Sequence, residues 1–595
     1  MRFRGHGYAT PVAALFPTPE LALRLRALGA ALLPGLLAGT HVAGLLFFLN
    51  PDLEFEVSPV LRAVSLYGGL GAAASGLVLG PWWLARARRA GRQLPWILAG
   101  VLAAAAALDG YHAAHFAFYL PPGINARLLK AALWLSLAAL ICFYTALLHS
   151  LHGRRYGWRS RLGLALVVLA SVYVMVERRE AFQVPVEVEP RASAVVSGSR
   201  PRLAVVGLDG ATSEAILPLA EQGELPFFHT LLEQGAFARL QSLSPVRSGP
   251  LWTTVATGQH PYHHGILRHE ATPARFFPGG SPASDPLLRL LPARIGFAAW
   301  GTFGAVPVEL TAAHRRSLAA WEILPRLGVD TAVVGWPVSS PLPPGLVFGF
   351  GDDFFRGRFT EGTATTPEAA QRGLLFQLAA DDVDPALVEE LGADADSPAV
   401  ASLAGDVWRE TLLTFLLDQH AELDTALLVL PGLAEVERRS FGGYAAVQFT
   451  GESSDASQQA ARQVVAYYRH LDAFLARLWE RLGSRRLLAV VSVHGFVEPP
   501  SWRRLLPGGG QHRLAGETRD APDGVLMLMG DGVLAGASVQ DARLVDVLPT
   551  LLYGLGLPLA RDLDGRVLTE AYSGSFLAAH PLTFVPSYRT LAPPP

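Results

Sequence analysis

Two side chains stand where phosphoryl chemistry would need them. Asp209 ends a β-branched run, Leu203–Leu208, and is followed by Gly210. In a parallel sheet, ligands bind beyond the carboxyl ends of the strands, so a strand-end carboxylate can face one; a turn-forming Asp-Gly pair produces the same sequence. Ser248 precedes a stretch of small and β-branched residues, through Trp252-Thr253-Thr254 to Thr257-Gly258, that predicts a helix. A hydroxyl there suits attack on a phosphate held by free backbone N–H groups, and the alternative is a plain helix cap. Arg247 reads either as a phosphate contact or as a solvated side chain.

A second set lies in the apolar first third. Asp109, His112 and His115 are spaced by three and share one broad helical face, and His41 sits in another apolar run. A metal, haem or proton site is one reading. The other is interhelical hydrogen bonding, or an interfacial position among Tyr111, Phe116, Phe118 and Tyr119.

The elements that must hold these residues divide the chain in two. At 595 residues it is too long for one ordinary core. Half of it is hydrophobic, 17% is charged, and the mean hydropathy is +0.29. The apolar excess falls in residues 1–180, which predict a helical bundle of five spans: Ala27–Leu49, Ala63–Ala85, Leu94–Leu120, Ala131–Leu148 and the shorter Leu162–Val176. Arginines flank alternate ends: Arg2, Arg4, Arg24 and Arg26, then Arg86, Arg88, Arg89 and Arg92, then Arg154, Arg155, Arg159 and Arg161. Asp52, Glu54 and Glu56 mark one of the opposite connections, and Arg127 with Lys130 the other. This asymmetry predicts a cytoplasmic N-terminus and an extracytoplasmic or periplasmic C-terminal part, in a bacterial-type inner or plasma membrane. The first span has no cleavage site and is followed by others, so a removable signal peptide is not expected.

Residues 181–202 read as a linker. From 203 to 595, strand runs alternate with amphipathic stretches, the pattern of an α/β domain with a mostly parallel sheet flanked by helices. Strands are expected at Leu203–Leu208, Thr331–Val334, Thr425–Leu430, Leu487–Ser492 and Gly524–Met529. Helices are expected at Ala211–Gln222, Pro226–Gln234, Ser317–Leu327, Ala460–Leu482 and Asp541–Leu555. Regions 268–316 and 350–406 look like irregular insertions over the strand ends. The net charge of −2, without a basic stripe, argues against nucleic acid as a partner. The one cysteine, Cys142, falls in the fourth span, which removes disulfides and Cys-zinc sites from the exported part.

The order Asp209-Gly210, Gly223-Glu224-Leu225-Pro226, Ser244-Pro245, Ser248, His264-Gly265-Ile266, and later Ser492-Val493-His494-Gly495 and Ala521-Pro522-Asp523-Gly524, resembles the type I phosphodiesterase/nucleotide pyrophosphatase branch of the alkaline phosphatase superfamily. Asp546-Val547-Leu548-Pro549-Thr550 and Asp564-Gly565-Arg566 continue the resemblance toward Tyr572. It implies an alkaline-phosphatase-like α/β domain with Asp209 as a metal ligand and Ser248 at the nucleophile position. It also implies metal-ligand positions that this chain fills differently. Ser-Asp-His-Gly becomes Ser492-Val493-His494-Gly495, which keeps His494 and loses the carboxylate. The Asp-x-x-x-His element maps to Ala434 and Arg438, or to Glu435 and Arg439. A late His maps to Thr518, and His512 in the preceding loop reads either as its substitute or as an exposed side chain.

Either arginine, 438 or 439, can be read as a phosphate contact in place of a cation, or as an ion-paired surface group. Asp209, His494 and Ser248 suffice for no metal or for a single divalent ion, zinc or manganese, but not for the pair, since zinc sites take about four ligands. The expected protein is thus a membrane-anchored, catalytically degenerate relative that binds a phosphate-containing ligand as an accessory subunit of a membrane-protein complex. The alternative is an active phosphoester hydrolase or phosphotransferase with Ser248 as nucleophile, one metal, and an arginine replacing the second.

Overall fold

The computed structural model describes residues 19–50, 55–177, 200–268, 270–271, 308–380, 383, 385–391, 397–451, 454–500, 513–518 and 522–592. The expected linker lies almost wholly outside the described residues, as do most of 268–316, His512, Arg2, Arg4, Asp52 and Glu54. Two compact units result, Met1–Phe182 with Ala271–Val308, and Gln183–Glu270 with Glu309–Pro595.

In the first unit five helices are long and apolar enough to cross a membrane: Glu20–Leu49, Val57–Ala85, Ala90–His115, Pro122–Leu151 and Trp158–Val176. Their elements are α1 (Pro19–Leu49), α2 (Val57–Ala63), a π-helical turn at Val64–Gly68, α3 (Gly69–Ala85), α4 (Ala87–His115), α5 (Pro122–Leu151) and α6 (Trp158–Val176). Hydrocarbon offers no hydrophobic drive between helices, so small residues and polar pairs hold them together. A Cβ on Gly35 would come within 1.9 Å of the Gly71 carbonyl oxygen, and one on Gly39 within 2.0 Å of that of Tyr67. His41 Nε2 and Asp109 Oδ1, 2.8 Å apart and buried, tie α1 to α4. Asp109 and His112 are both buried, which matches the interhelical reading of Asp109 rather than an interfacial one. The third helix ends at His115, short of the Leu120 expected, because Phe116–Leu120 turns.

The second unit is built on an eight-stranded sheet among the described residues, in the order β8-β2-β7-β6-β1-β5-β3-β4. These strands are β1 (Arg202–Leu208), β2 (Ala236–Gln241), β3 (Thr331–Val334), β4 (Phe348–Phe350), β5 (Thr425–Leu430), β6 (Arg486–Ser492), β7 (Gly524–Gly530) and β8 (Ala537–Arg543). Only β7 runs against its neighbours, pairing antiparallel with β2 and β6. β1 lies parallel between β5 and β6, with Leu203 opposite both Thr425 and Leu487. Helices cover both faces, so β5 is buried along its whole length and β6 from Leu487 to Ser492, and they read as nearly continuous apolar runs.

Flanking helices, among them α7 (Ser213–Glu221) and α10 (Ala320–Arg326), follow from amphipathic spacing. In α15 (Asp455–Arg481), Val464, Tyr468, Leu471, Leu475 and Leu478 face the core. Its Asp472 accepts the Phe227 and Phe228 amides at 3.1 and 2.8 Å, capping α8 (Pro226–Gln234). Region 350–406 is more regular than its Gly, Asp and Pro content implies. It holds α11 (Pro367–Ala380), α12 (Pro385–Leu391) and the start of α13 (Pro398–Gln419), whose Ser397 cap and Pro398 open a helix where the sequence reads as loop. The expected helix Asp541–Leu555 starts later, as α16 (Val547–Gly554). Residues 537–543 instead form the edge strand β8, whose register shifts between Val539 and Ala542 around Asp541 at φ 54°.

Candidate functional site

β1 and β6 lie side by side at the centre of the sheet and end together. Their C-terminal ends deliver Asp209 and His494 to one place. Asp209 is anchored by its own amide, which donates to the Leu430 carbonyl of β5 at 3.1 Å. Gly210 follows at φ 92°, and a Cβ there would meet the Phe496 ring at 2.8 Å and Ala434 Cα at 3.0 Å. The chain can pass this point only as glycine.

Ser248 opens α9 (Ser248–Thr257), a ten-residue helix whose Trp252 packs on Gly207 of β1. Ser248 Oγ donates to Asp209 Oδ2 at 3.0 Å, and Trp252 Nε1 donates to Oδ1 at 3.1 Å. These two donors stand one helical turn apart and so project from one face. Trp252 is fully buried, and it fits because residue 207 is glycine: a Cβ there would reach its ring at 2.4 Å.

His494 is held by Nδ1, 3.1 Å from the Gly495 carbonyl oxygen, which can only accept. Its Nε2 is then aimed at Asp209 Oδ1, 3.5 Å away. A ring in that tautomer turns its Nε2 lone pair toward the carboxylate. Asp209, Ser248 and His494 are therefore brought together.

The other positions are arranged differently. Val493 is fully buried, and only its carbonyl is polar there, accepting from Ser242 Oγ at 2.8 Å. Arg438 and Arg439 lie on the outer side of α14 (Gly432–Thr450), about half exposed. Both are paired with Glu435: Arg438 by a short contact, and Arg439 through Nε at 3.0 Å and Nη2 at 2.7 Å. Arg247 Nη1 donates to the Leu267 carbonyl at 3.0 Å. Thr518 is half-buried beside Glu517, which bridges to Val497.

The carboxyl that α14 turns inward is Glu437. It is fully buried against Gly210, whose Cβ position lies 3.1 Å from its Oε2. Oε1 accepts from the Tyr468 hydroxyl at 2.9 Å, and that hydroxyl accepts the Thr212 amide at 3.0 Å. Oε2 has no partner among the described residues. Burial first, then the neighbouring Asp209 charge, pushes the Glu437 carboxyl well above its ordinary range, so it stands as a neutral acid. Sequence reasoning passed over it, although Leu433, Glu437 and Phe441 are spaced by four on one apolar stripe.

A pair of divalent metals does not fit these residues. Among the described residues no three His, Cys, Asp or Glu side chains are placed to hold an ion. Hydrocarbon fills position 493, and both Asp209 oxygens already accept protein donors. A lone cation would find Asp209, His494 and the Ser248 hydroxyl, which is one carboxylate, one imidazole and one weak ligand. An anion would meet the backbone N–H groups of Ser248 and Gly249 in the first turn of α9, since Pro250 has none and the Leu251 amide donates to the Arg247 carbonyl.

Among solved structures, human ectonucleotide pyrophosphatase/phosphodiesterase 5 is 10% identical, with 64% of this chain and 99% of that one covered at a TM-score of 0.37. The phosphonate monoester hydrolase of Silicibacter pomeroyi is 16% identical, covering 63% and 77% at 0.36. Alkaline phosphatase PafA is 12% identical, covering 64% and 100% at 0.41. No curated protein matches the chain. The profile of the type I phosphodiesterase / nucleotide pyrophosphatase family matches residues 203–509, more than half of the chain, and the chain belongs to that family.

Proposed function

We propose that this chain is a membrane-anchored, catalytically degenerate member of its family, which binds a phosphate-bearing ligand at the N-terminus of α9 and serves as an accessory subunit of a membrane assembly. One observation carries the reading: each oxygen of the Asp209 carboxylate already accepts a protein donor, from Ser248 and from Trp252, while the adjoining position is a buried valine. The inner wall of α14 offers a neutral acid, Glu437, and the arginines of that helix are engaged with Glu435. In this reading the N-terminus is cytoplasmic and the C-terminal unit extracytoplasmic, as the arginine asymmetry implies.

The test uses the full-length protein in detergent, incubated with zinc or manganese, desalted and assayed for bound metal and for cleavage of a chromogenic phosphodiester. The expected result is substoichiometric metal and turnover no greater than that of Ser248→Ala. Turnover that Ser248→Ala abolishes would overturn it.

A second reading is favoured by the facing Asp209 Oδ1 and His494 Nε2 atoms, 3.5 Å apart. There one divalent ion joins them, and Ser248 acts as nucleophile. It requires one equivalent of metal that is lost in both Asp209→Asn and His494→Ala.

A further inference from the structure

Asp406 and Arg409 stand three apart on one face of α13, over the carboxyl ends of the neighbouring strands β3 and β5. Glycine past each strand end admits them. A Cβ on Gly335, the residue after β3, would come within 2.9 Å of Arg409 Nε, and one on Gly432, just past β5, within 2.6 Å of Asp406 Oδ2. Neither side chain takes part in the chemistry around Asp209 and Ser248.

The hydrogen bonds fix where the Asp406 proton sits. Oδ2 accepts twice, from the Gly432 amide at 3.0 Å and the Tyr467 hydroxyl at 2.8 Å. Oδ1 is buried and has no partner among the described residues. Burial pushes the carboxyl up to about 7, so below that pH the group is neutral and its proton falls on Oδ1, the oxygen that accepts nothing. Arg409 is its complement. Nη1 donates to the Gly405 carbonyl at 2.7 Å, and the guanidinium lies 4.2 Å from the centre of the Phe355 ring. Nε is buried without a partner, and no carboxylate of the described residues is ion-paired with this arginine. The charged groups around the two are engaged elsewhere: Glu410 with His470 of α15 at 2.8 Å, and Asp352 with Arg356 at 3.4 Å. Two buried donors, Asp406 Oδ1–H and Arg409 Nε–H, thus share a helix face with no acceptor and with one positive charge between them. What satisfies both is an acceptor that carries a negative charge and donates nothing. Water accepts from both, but its own hydrogens need further acceptors and it leaves the guanidinium charge uncompensated.

We propose that Asp406 and Arg409 form a binding site for a small monovalent anion, a halide, held between Asp406 Oδ1–H and Arg409 Nε–H. The anion and the proton bind together, because an ionised Asp406 supplies the negative charge itself and repels a second one. The titratable and charged groups that face Asp406 are Arg409 and Glu410 on its own helix and Tyr467 and His470 on α15, while α14 contributes only the Gly432 amide. This site is independent of the reading of Asp209, Ser248 and His494.

The experiment compares melting temperatures of the full-length protein in detergent, in sodium chloride, sodium bromide and sodium gluconate at equal ionic strength. At about pH 5.5 both halides should raise the melting temperature by a few degrees over gluconate, saturably, and the difference should fade by about pH 8. Arg409→Gln should abolish the difference. Asp406→Asn is the sharper variant, because an amide nitrogen in place of Oδ1–H still donates and cannot ionise. In it the halide stabilisation should persist at both pH values. Should either variant fail to fold, the wild-type comparison and the other variant still decide. Equal melting temperatures in halide and gluconate at about pH 5.5, the result expected of a bound water or of a direct Asp406–Arg409 pair, would overturn the proposal. So would a halide effect that survives Arg409→Gln or that Asp406→Asn loses.

Discussion

Asp209 and Asp406 are two buried carboxylates in opposite predicaments. Asp209 accepts from Ser248 and Trp252, so Asp209→Ala strands the buried Trp252 N–H and leaves His494 without its partner. Losing one such buried acceptor costs about 1–3 kcal/mol, and the melting temperature of the purified protein should fall accordingly, whereas Ser248→Ala should cost little. Asp406 lies in α13, where its Oδ2 accepts the Gly432 amide at 3.0 Å and the Tyr467 hydroxyl at 2.8 Å. Burial pushes its carboxyl up to about 7 against the pull of the Arg409 guanidinium. The folded chain therefore keeps a proton that the unfolded chain releases near pH 4. That contribution is complete below about pH 4 and is lost as pH rises through 7, at up to ~1.4 kcal/mol per pH unit. Thermal melts of Asp406→Asn from pH 4 to 8 should show a flatter decline than wild type; parallel curves would refute the assignment. Asp209 and Ser248 were legible as candidates because one ends an apolar strand and the other starts a helix, whereas His494 was legible only through the family resemblance. Glu437 was not, because Glu435, Glu437, Arg438 and Arg439 are alike in composition. Only helical phase, ~100° per residue, decides which of them turns inward.

Helices and strands were legible in proportion to how completely they are buried. Thr331–Val334, Thr425–Leu430 and Pro226–Gln234 have the boundaries their hydrophobic runs predict. β4, three residues long, and β8, broken by its bulge, carry too little periodicity to stand out. The 350–406 helices were hidden by loop-forming residues, yet Leu403, Leu412, Leu413 and Leu416 bind α13 into the main core. Among the spans, length and hydropathy were plain, but the small-residue contacts that order them were not. Gly39→Leu sets a side chain against the Tyr67 backbone, which cannot withdraw as a flexible side chain would. It should abolish the monodisperse peak of the detergent-solubilised protein in size-exclusion chromatography. Gly110→Leu, with open space at its Cβ, should leave that peak intact.

At the scale of the whole chain, the proposed orientation has a direct readout because Cys142 is the sole cysteine and is buried. In a Cys142→Ser background, a membrane-impermeant maleimide should label Ala579→Cys in intact cells. Arg154→Cys should be labelled only after permeabilisation, and the reverse pattern would invert the topology. The position of β1 has a further consequence, for the order of assembly. It is the first strand of the α/β unit in the chain, yet it occupies the middle of the sheet. Its partners in β5 and β6 are made about 220 and 280 residues later, so two unpaired edges wait through most of the unit's synthesis. The strand at the centre is made first and waits for β5 and β6, and β2 waits longer still, for β7 and β8. A chain stalled before Thr425 would therefore leave β1 bare along both edges, which makes completion of the chain, rather than any local helix, the event that commits this unit to its native state.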